Sequence, residues 1–276
     1  MRHESGALWP AYPSVRAAAN GRPFDLSLVP DGYPANWNNQ FWRYDLDTGT
    51  GWESIANYPF NGYDHQLGAI GGKLYAVGGR ASTSSIGFQL DRLYEYDPNA
   101  NTWTQKASMA TKRFMFCATV LNGHLYATGG IHTSGGVTKT MESYDPVTDM
   151  WTSRASMSYD RENHACGAIN GKLWVAGGLS TAGPNGGAEV LSHVESYDPS
   201  SDTWTTQTAL PATSMNNKIG VSGGDLYVFA GRKDTPWNEA SAQTDVWRWD
   251  ASADAWVSMA PKPELILFGI IKNTDE

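Results

Sequence analysis

The chain has 276 residues and a formal net charge of −8; 41% of it is hydrophobic, 12% aromatic and only 17% charged. That much apolar and aromatic material excludes disorder, and 29 Gly and 12 Trp among so few charges exclude a coiled coil and favour an all-β chain with many tight turns. The acidic balance disfavours nucleic acid, and with no apolar stretch of about 18 residues no membrane insertion is expected.

In chain order, residues 1–13 read as an N-terminal arm that lacks the apolar core of a signal peptide. A single domain is then expected over 14–273. Its units run over about 14–54, 62–105, 113–153, 161–206 and 214–258, followed by a closing strand at 264–273. The first unit is degenerate: Asn20-Gly21 marks a turn, and Tyr44-Asp45 and Trp52 end the unit one residue further apart than elsewhere.

The next four units repeat closely. Each has a turn glycine (Gly72, Gly123, Gly171, Gly224), then a leucine-aromatic pair, then a small pair six residues after the turn. The small pairs are Gly78-Gly79, Gly129-Gly130, Gly177-Gly178 and Ala230-Gly231, spaced 51, 48 and 53 residues apart. An aromatic-Asp pair follows, with a tryptophan seven residues beyond the aromatic: Tyr96/Trp103, Tyr144/Trp151, Tyr197/Trp204 and Trp249/Trp256. From each tryptophan to the next turn glycine is always 20 residues. Runs such as LYAVGG, apolar on both faces, suit a strand buried between two sheets, and Asp-Pro segments suit hairpin turns.

A period near 50 with a glycine pair, tyrosine and tryptophan in register resembles the kelch repeat over about residues 14–260. The resemblance implies a β-propeller of four-stranded blades around a central channel. Five blades are expected if 264–273 completes the first blade. Six is the alternative, with 1–13 and 264–273 as remnants of another.

In such a propeller the loops between blades and those after the glycine pair share one face. They carry Arg80, Arg113, Phe116, Arg161, Glu162, His164, Asn217, Lys218, Arg232, Trp237 and Trp37. This rim is more basic than the chain as a whole, and arginine beside aromatic surface suits a carboxylate-bearing peptide or an acidic glycan. Similar positions line the peptide-binding face of kelch substrate adaptors, although Asp64, Met115 and Asn163 stand here where arginines occur in that group. His65 and His164 share a register but lie in non-adjacent units, so no metal site and no cofactor is expected. Cys117 and Cys166 are offset by one residue in register, which implies opposite orientations and no disulfide.

The resulting expectation is a non-enzymatic interaction module that presents its loop-rich face to a protein or glycan. One alternative is a structural decoration protein of a virion or cell-surface assembly, docked within a larger complex. The other is a kelch-type enzyme acting on an acidic sugar in the manner of a mutarotase, using Arg113, Arg161, Glu162 and His164.

Overall fold

The computed structural model describes residues 14–19, 22–28, 39–45, 52–60, 62–81, 89–132, 136–183, 186–233 and 242–261. The expected N-terminal arm 1–13, the closing strand 264–273, Trp37 and Trp237 lie outside these residues. The described chain is all-β. It forms five four-stranded antiparallel sheets, each a simple meander in chain order. The first comprises Ser14–Ala19, Arg22–Leu28, Phe41–Asp45 and Trp52–Ser54. The second comprises Gln66–Ile70, Lys73–Val77, Leu93–Asp97 and Thr102–Lys106. Cys117–Leu121, His124–Thr128, Met141–Asp145 and Met150–Arg154 form the third; Ala165–Ile169, Lys172–Ala176, Val194–Asp198 and Thr203–Gln207 form the fourth. Lys218–Ser222, Asp225–Phe229, Val246–Asp250 and Ala255–Ser258 form the fifth. The first strands of consecutive sheets pack against one another.

Local sequence explains each sheet. The first hairpin of the third unit turns on Asn122-Gly123, both at positive φ (51° and 72°), the two-residue turn that matches strand twist. The second strand alternates between two cores. Leu74 and Ala76 join Phe41, Tyr58 and Tyr96 against the first sheet. Tyr75 and Val77 join Leu125, Ala127 and Tyr144 against the third. The hydrophobic core therefore lies between sheets, so a lone sheet would leave both faces wet. This is why the sequence has to repeat.

The repeat tryptophan and the turn acid clamp each sheet to the one before it. Trp103 Nε1 donates to the Ala56 carbonyl (2.9 Å), Trp151 to Ala107, Trp204 to Ala155 and Trp256 to Thr208 (2.8 Å each). The same preceding residues donate their N–H to a turn side chain: Ala56 to Asn101 (2.8 Å), Ala107 to Asp149 (2.9 Å) and Ala155 to Asp202 (2.9 Å). Tyr96, Tyr144 and Tyr197 hydroxyls donate to those side chains in turn. Since Asn101 fills the position in the second unit, Asp149→Asn is expected to change unfolding free energy by under about 0.5 kcal/mol. Asp149→Ala, which loses both hydrogen bonds, is expected to cost about 1–2 kcal/mol in urea titrations.

The acid also predicts a pH effect. The Ala107 N–H and the Tyr144 hydroxyl hold the Asp149 carboxyl below the usual carboxylate range, against a smaller cost of burial. Its contribution is therefore complete above the unfolded value of about 3.9 and is lost as pH falls through the lower folded value. The Asn variant should lose less stability than the wild type across that acid range.

Candidate site at the propeller mouth

At one end of the second to fifth sheets, the segment leading into the first strand meets the segment that follows the small pair. Gly62–Tyr63 pairs with Arg80–Ala81 and Arg113–Phe114 with Ile131–His132. Glu162 bridges to Leu179 and Met215 to Arg232. The two loop sets read from the sequence are thus hydrogen-bonded neighbours. The glycine pair also binds the following sheet: the N–H groups of Gly79, Gly130 and Gly178 donate to the carbonyls of Arg113, Arg161 and Ser214 at 3.0, 2.8 and 2.8 Å.

Those contacts determine where the candidate residues point. Arg113 and Arg161 are 0% exposed and face the interior of their own sheets. Arg113 Nη1 donates to the Gly129 and Thr140 carbonyls (2.9 and 3.2 Å), and Nη2 to Glu142 Oε1 (2.7 Å). Arg161 repeats this with the Gly177 and His193 carbonyls (2.9 and 3.1 Å), and its Nη2 lies 3.6 Å from Glu195 Oε1. Each is a structural tie across the end of a sheet, with no guanidinium offered to the surface.

Phe116, His164 and Asn217 occupy one register and are buried as well. A Cβ on Gly78 would collide with the Phe116 ring, one on Gly129 with His164, and one on Gly177 with Asn217. These three side chains fill the space that the preceding unit's glycine leaves open. His164 Nε2 lies 2.9 Å from Thr128 Oγ1, and Asn217 Nδ2 donates to the Ala176 carbonyl (3.1 Å). Burial, reinforced by Arg161, Lys218 and Arg113, holds the His164 imidazole well below its ordinary range. His65, in the same register, is pushed down to about 4 by burial, against a bond to the Gly78 carbonyl. Both rings are neutral at pH 7. Among the described residues no group of three or more His, Cys, Asp or Glu gathers to hold a metal ion.

The remaining candidates do converge. Asp64, Met115, Asn163 and Asn216 occupy the next register, one in each of the second to fifth units, all at positive φ between 52° and 61°. Asn163 N–H donates to the Met115 carbonyl (2.8 Å) and Asn216 N–H to that of Asn163 (2.7 Å), so backbone bonds link the third, fourth and fifth units here. Above it sit Arg80 and Arg232, each directly after its glycine pair. The Arg80 guanidinium lies 3.3 Å from the Phe114 ring centroid and donates to the Tyr63 hydroxyl (3.3 Å). Arg232 Nε donates to Asn216 Oδ1 (3.2 Å).

Two acids complete the cluster. Glu162 is 8% exposed, and its Oε2 is buried with no hydrogen-bond partner in the protein. Burial raises its carboxyl, while Arg232 and Arg80 pull it back. Those arginines belong to the fifth and second units, so their fields meet at a residue of the fourth. Burial pushes Asp64 up to about 6, opposed by Arg80 and by Lys218 of the fifth unit. Lys218 is exposed at this end of the fifth sheet, and its charge acts on Asp64. Of the candidates read from sequence, Arg80 and Arg232 act electrostatically on Glu162, and Lys218 acts on Asp64. Arg113, Arg161, Phe116, His164 and Asn217 support the wall behind them.

One expectation is overturned. Cys117 and Cys166 form a disulfide with Cα atoms 5.9 Å apart. An offset of one in register implies divergence only for two residues of one strand. Here the strands belong to consecutive sheets stacked face to face, so a residue facing forward from one meets a residue facing backward from the next. Gly68 and Val120 meet with the same one-residue offset, and Gly167 and Ile219 with a one-residue offset in the opposite sense.

Comparison with known proteins agrees with this architecture. The KLHDC2/KLHL20/DRC7 Kelch-repeats domain matches residues 64–266. Kelch-like protein 9 of Mus musculus is 39% identical over 85 residues, 30% of this chain and 14% of that protein. N-acetylneuraminate epimerase of Yersinia enterocolitica is 38% identical over 92 residues, 30% of this chain and 23% of that protein. The chain thus matches only a small part of the length of these relatives. A solved structure titled "Structure of YjhT" superimposes with a TM-score of 0.73 at 17% identity, covering 93% of this chain and 85% of that one, a likeness of fold. With the glycine pairs, the repeat tyrosines and tryptophans and the face-to-face sheets in place, the chain belongs to the Kelch-repeat family of β-propellers.

Proposed function

We propose that the propeller is an interaction module whose mouth takes a carboxylate-bearing segment of a protein partner. The observation that carries this reading is the placement of two arginines at the mouth, Arg80 held by Phe114 and Tyr63 and Arg232 held by Asn216, with the buried Glu162 within the reach of both charges. Arginine forks favour carboxylates, and the Arg80 guanidinium is already oriented by Phe114 and Tyr63. Kelch-like relatives support protein partners in general.

The test is selection of displayed peptides on the immobilised propeller. Acidic peptides should be recovered, and Arg80→Ala with Arg232→Ala should weaken them at least tenfold, about 1.4 kcal/mol. Affinity should rise as pH falls from 7 to 5, because Asp64, with its pKa at about 6, then loses a negative charge beside the bound anion. Unchanged affinity in the double variant would remove the mouth from the interface.

One observation favours an enzymatic second reading. Glu162 is a buried carboxyl with raised pKa and an unpartnered oxygen, which suits an acid–base group, and one relative bears the name of a sugar-acid epimerase. Offering the same protein acidic sugars separates the two readings: turnover that Glu162→Gln abolishes selects the enzyme.

A further inference from the structure

The disulfide joins the first strands of the third and fourth sheets, and its place in the wall is specific. Cys117 lies two residues beyond Met115, and Cys166 three beyond Asn163. These are the two ring residues whose backbones bond at 2.8 Å and whose side chains meet at 3.4 Å, Asn163 Nδ2 to Met115 Sδ. At the corresponding positions of the flanking seams stand Gln66 with Ala118 and Ala165 with Ile219, which cannot cross-link. Both cysteines are partly buried, neither sealed in the core.

We infer that Cys117–Cys166 is a redox staple of the mouth, locking the seam between the third and fourth sheets when oxidised and releasing it when a dithiol reduces it. In that reaction one dithiol thiolate attacks a cysteine sulfur and the other cysteine leaves as thiolate. The second thiol then displaces the first sulfur, giving two protein thiols and the oxidised, cyclic reductant. A protein held by such a bond matures where thiols are oxidised. The bond closes a separation of 49 residues, long enough to restrict the unfolded chain substantially. The consequence for ligand affinity rests on the function proposed above; the staple itself does not.

The test uses the full chain produced in an oxidising compartment. Denatured without reductant it should show no free thiol, and after dithiothreitol, two. Tm should fall by roughly 5–10 °C on reduction. Cys117→Ala with Cys166→Ala should melt at the lower temperature with or without dithiothreitol. Amide exchange should quicken at least tenfold at Asn163 on reduction and change little at Asn216, whose bond to Asn163 lies on the next seam. Two free thiols in the oxidised protein, an unchanged Tm, or equal quickening at both amides would overturn the proposal. Should the double variant fail to fold, the wild type with and without dithiothreitol decides by the same readings. Anion affinity is measured separately: failure to find any anionic ligand counts against the proposed function, while thiol count, Tm and exchange decide the staple.

Discussion

Glu142→Leu is expected to destabilise the protein by about 3–5 kcal/mol. The change leaves Arg113 0% exposed with only the Gly129 and Thr140 carbonyls and the Thr140 hydroxyl as acceptors, none of them charged. It also releases the N–H groups of Ala110 and Thr111, which donate to the Glu142 carboxylate at 2.7 and 3.2 Å. Arg113→Met should cost less, because Glu142 keeps those two donors. Combining the two substitutions should cost clearly less than the sum, since replacing both buried charges by apolar groups removes the desolvation penalty with the attraction. A double-mutant cycle by urea unfolding measures this coupling; strictly additive costs would mean that the pair is not held as a unit.

That pair was legible in the sequence, through a signal other than the one followed. The third and fourth units carry Arg113 with Glu142 and Arg161 with Glu195, whereas the second carries Gly62 with Tyr94 and the fifth Ser214 with Trp247. Arginine and glutamate come and go together, as partners within a unit would. Read singly, each arginine belongs to a loop on the binding face and looks like a ligand group; read as a pair, it is a tie inside the sheet. The fold was more legible than the site for a physical reason. Burial between like neighbours demands the same residues at each repeat, so Gly, Tyr and Trp recur and announce the architecture. The mouth is where repetition stops, so Arg80, Arg232, Glu162 and Lys218 could be named from loop position, but no period says which way a side chain points. Phe114, the aromatic bed of Arg80, was passed over for Phe116, two residues on and buried against Gly78. Strand alternation within a sheet does not reveal the disulfide, because the decisive contact lies between sheets.

The same contact between sheets governs the second large effect, which compares two glycines of one repeat. Gly177 sits at φ 64°, where a Cβ would land on the backbone carbonyl oxygen of Ser214 and 2.9 Å from Asn217 Nδ2. That carbonyl cannot retreat freely, because it accepts from Gly178 N–H at 2.8 Å. Nor can the Gly177 backbone rotate freely, because its own carbonyl accepts from Arg161 at 2.9 Å and its N–H donates to His193 at 3.1 Å. Gly177→Ala therefore combines a left-handed backbone penalty of about 1–2 kcal/mol with overpacking of about 1–3 kcal/mol, and the bond to Ser214 is lost with it. A total near 3–5 kcal/mol is expected. Gly123, at φ 72°, has nothing within 4 Å of an added Cβ, so Gly123→Ala should cost only the backbone share, about 1–2 kcal/mol. The fifth unit carries Ala230 in place of the first glycine, but Ala230 is not at positive φ, so its presence does not license alanine at position 177. Urea unfolding of the two variants side by side distinguishes seam packing from turn strain. Equal losses would mean that the close approach of sheets at the glycine pair carries no weight, and that conformational preference alone keeps glycine in the repeat.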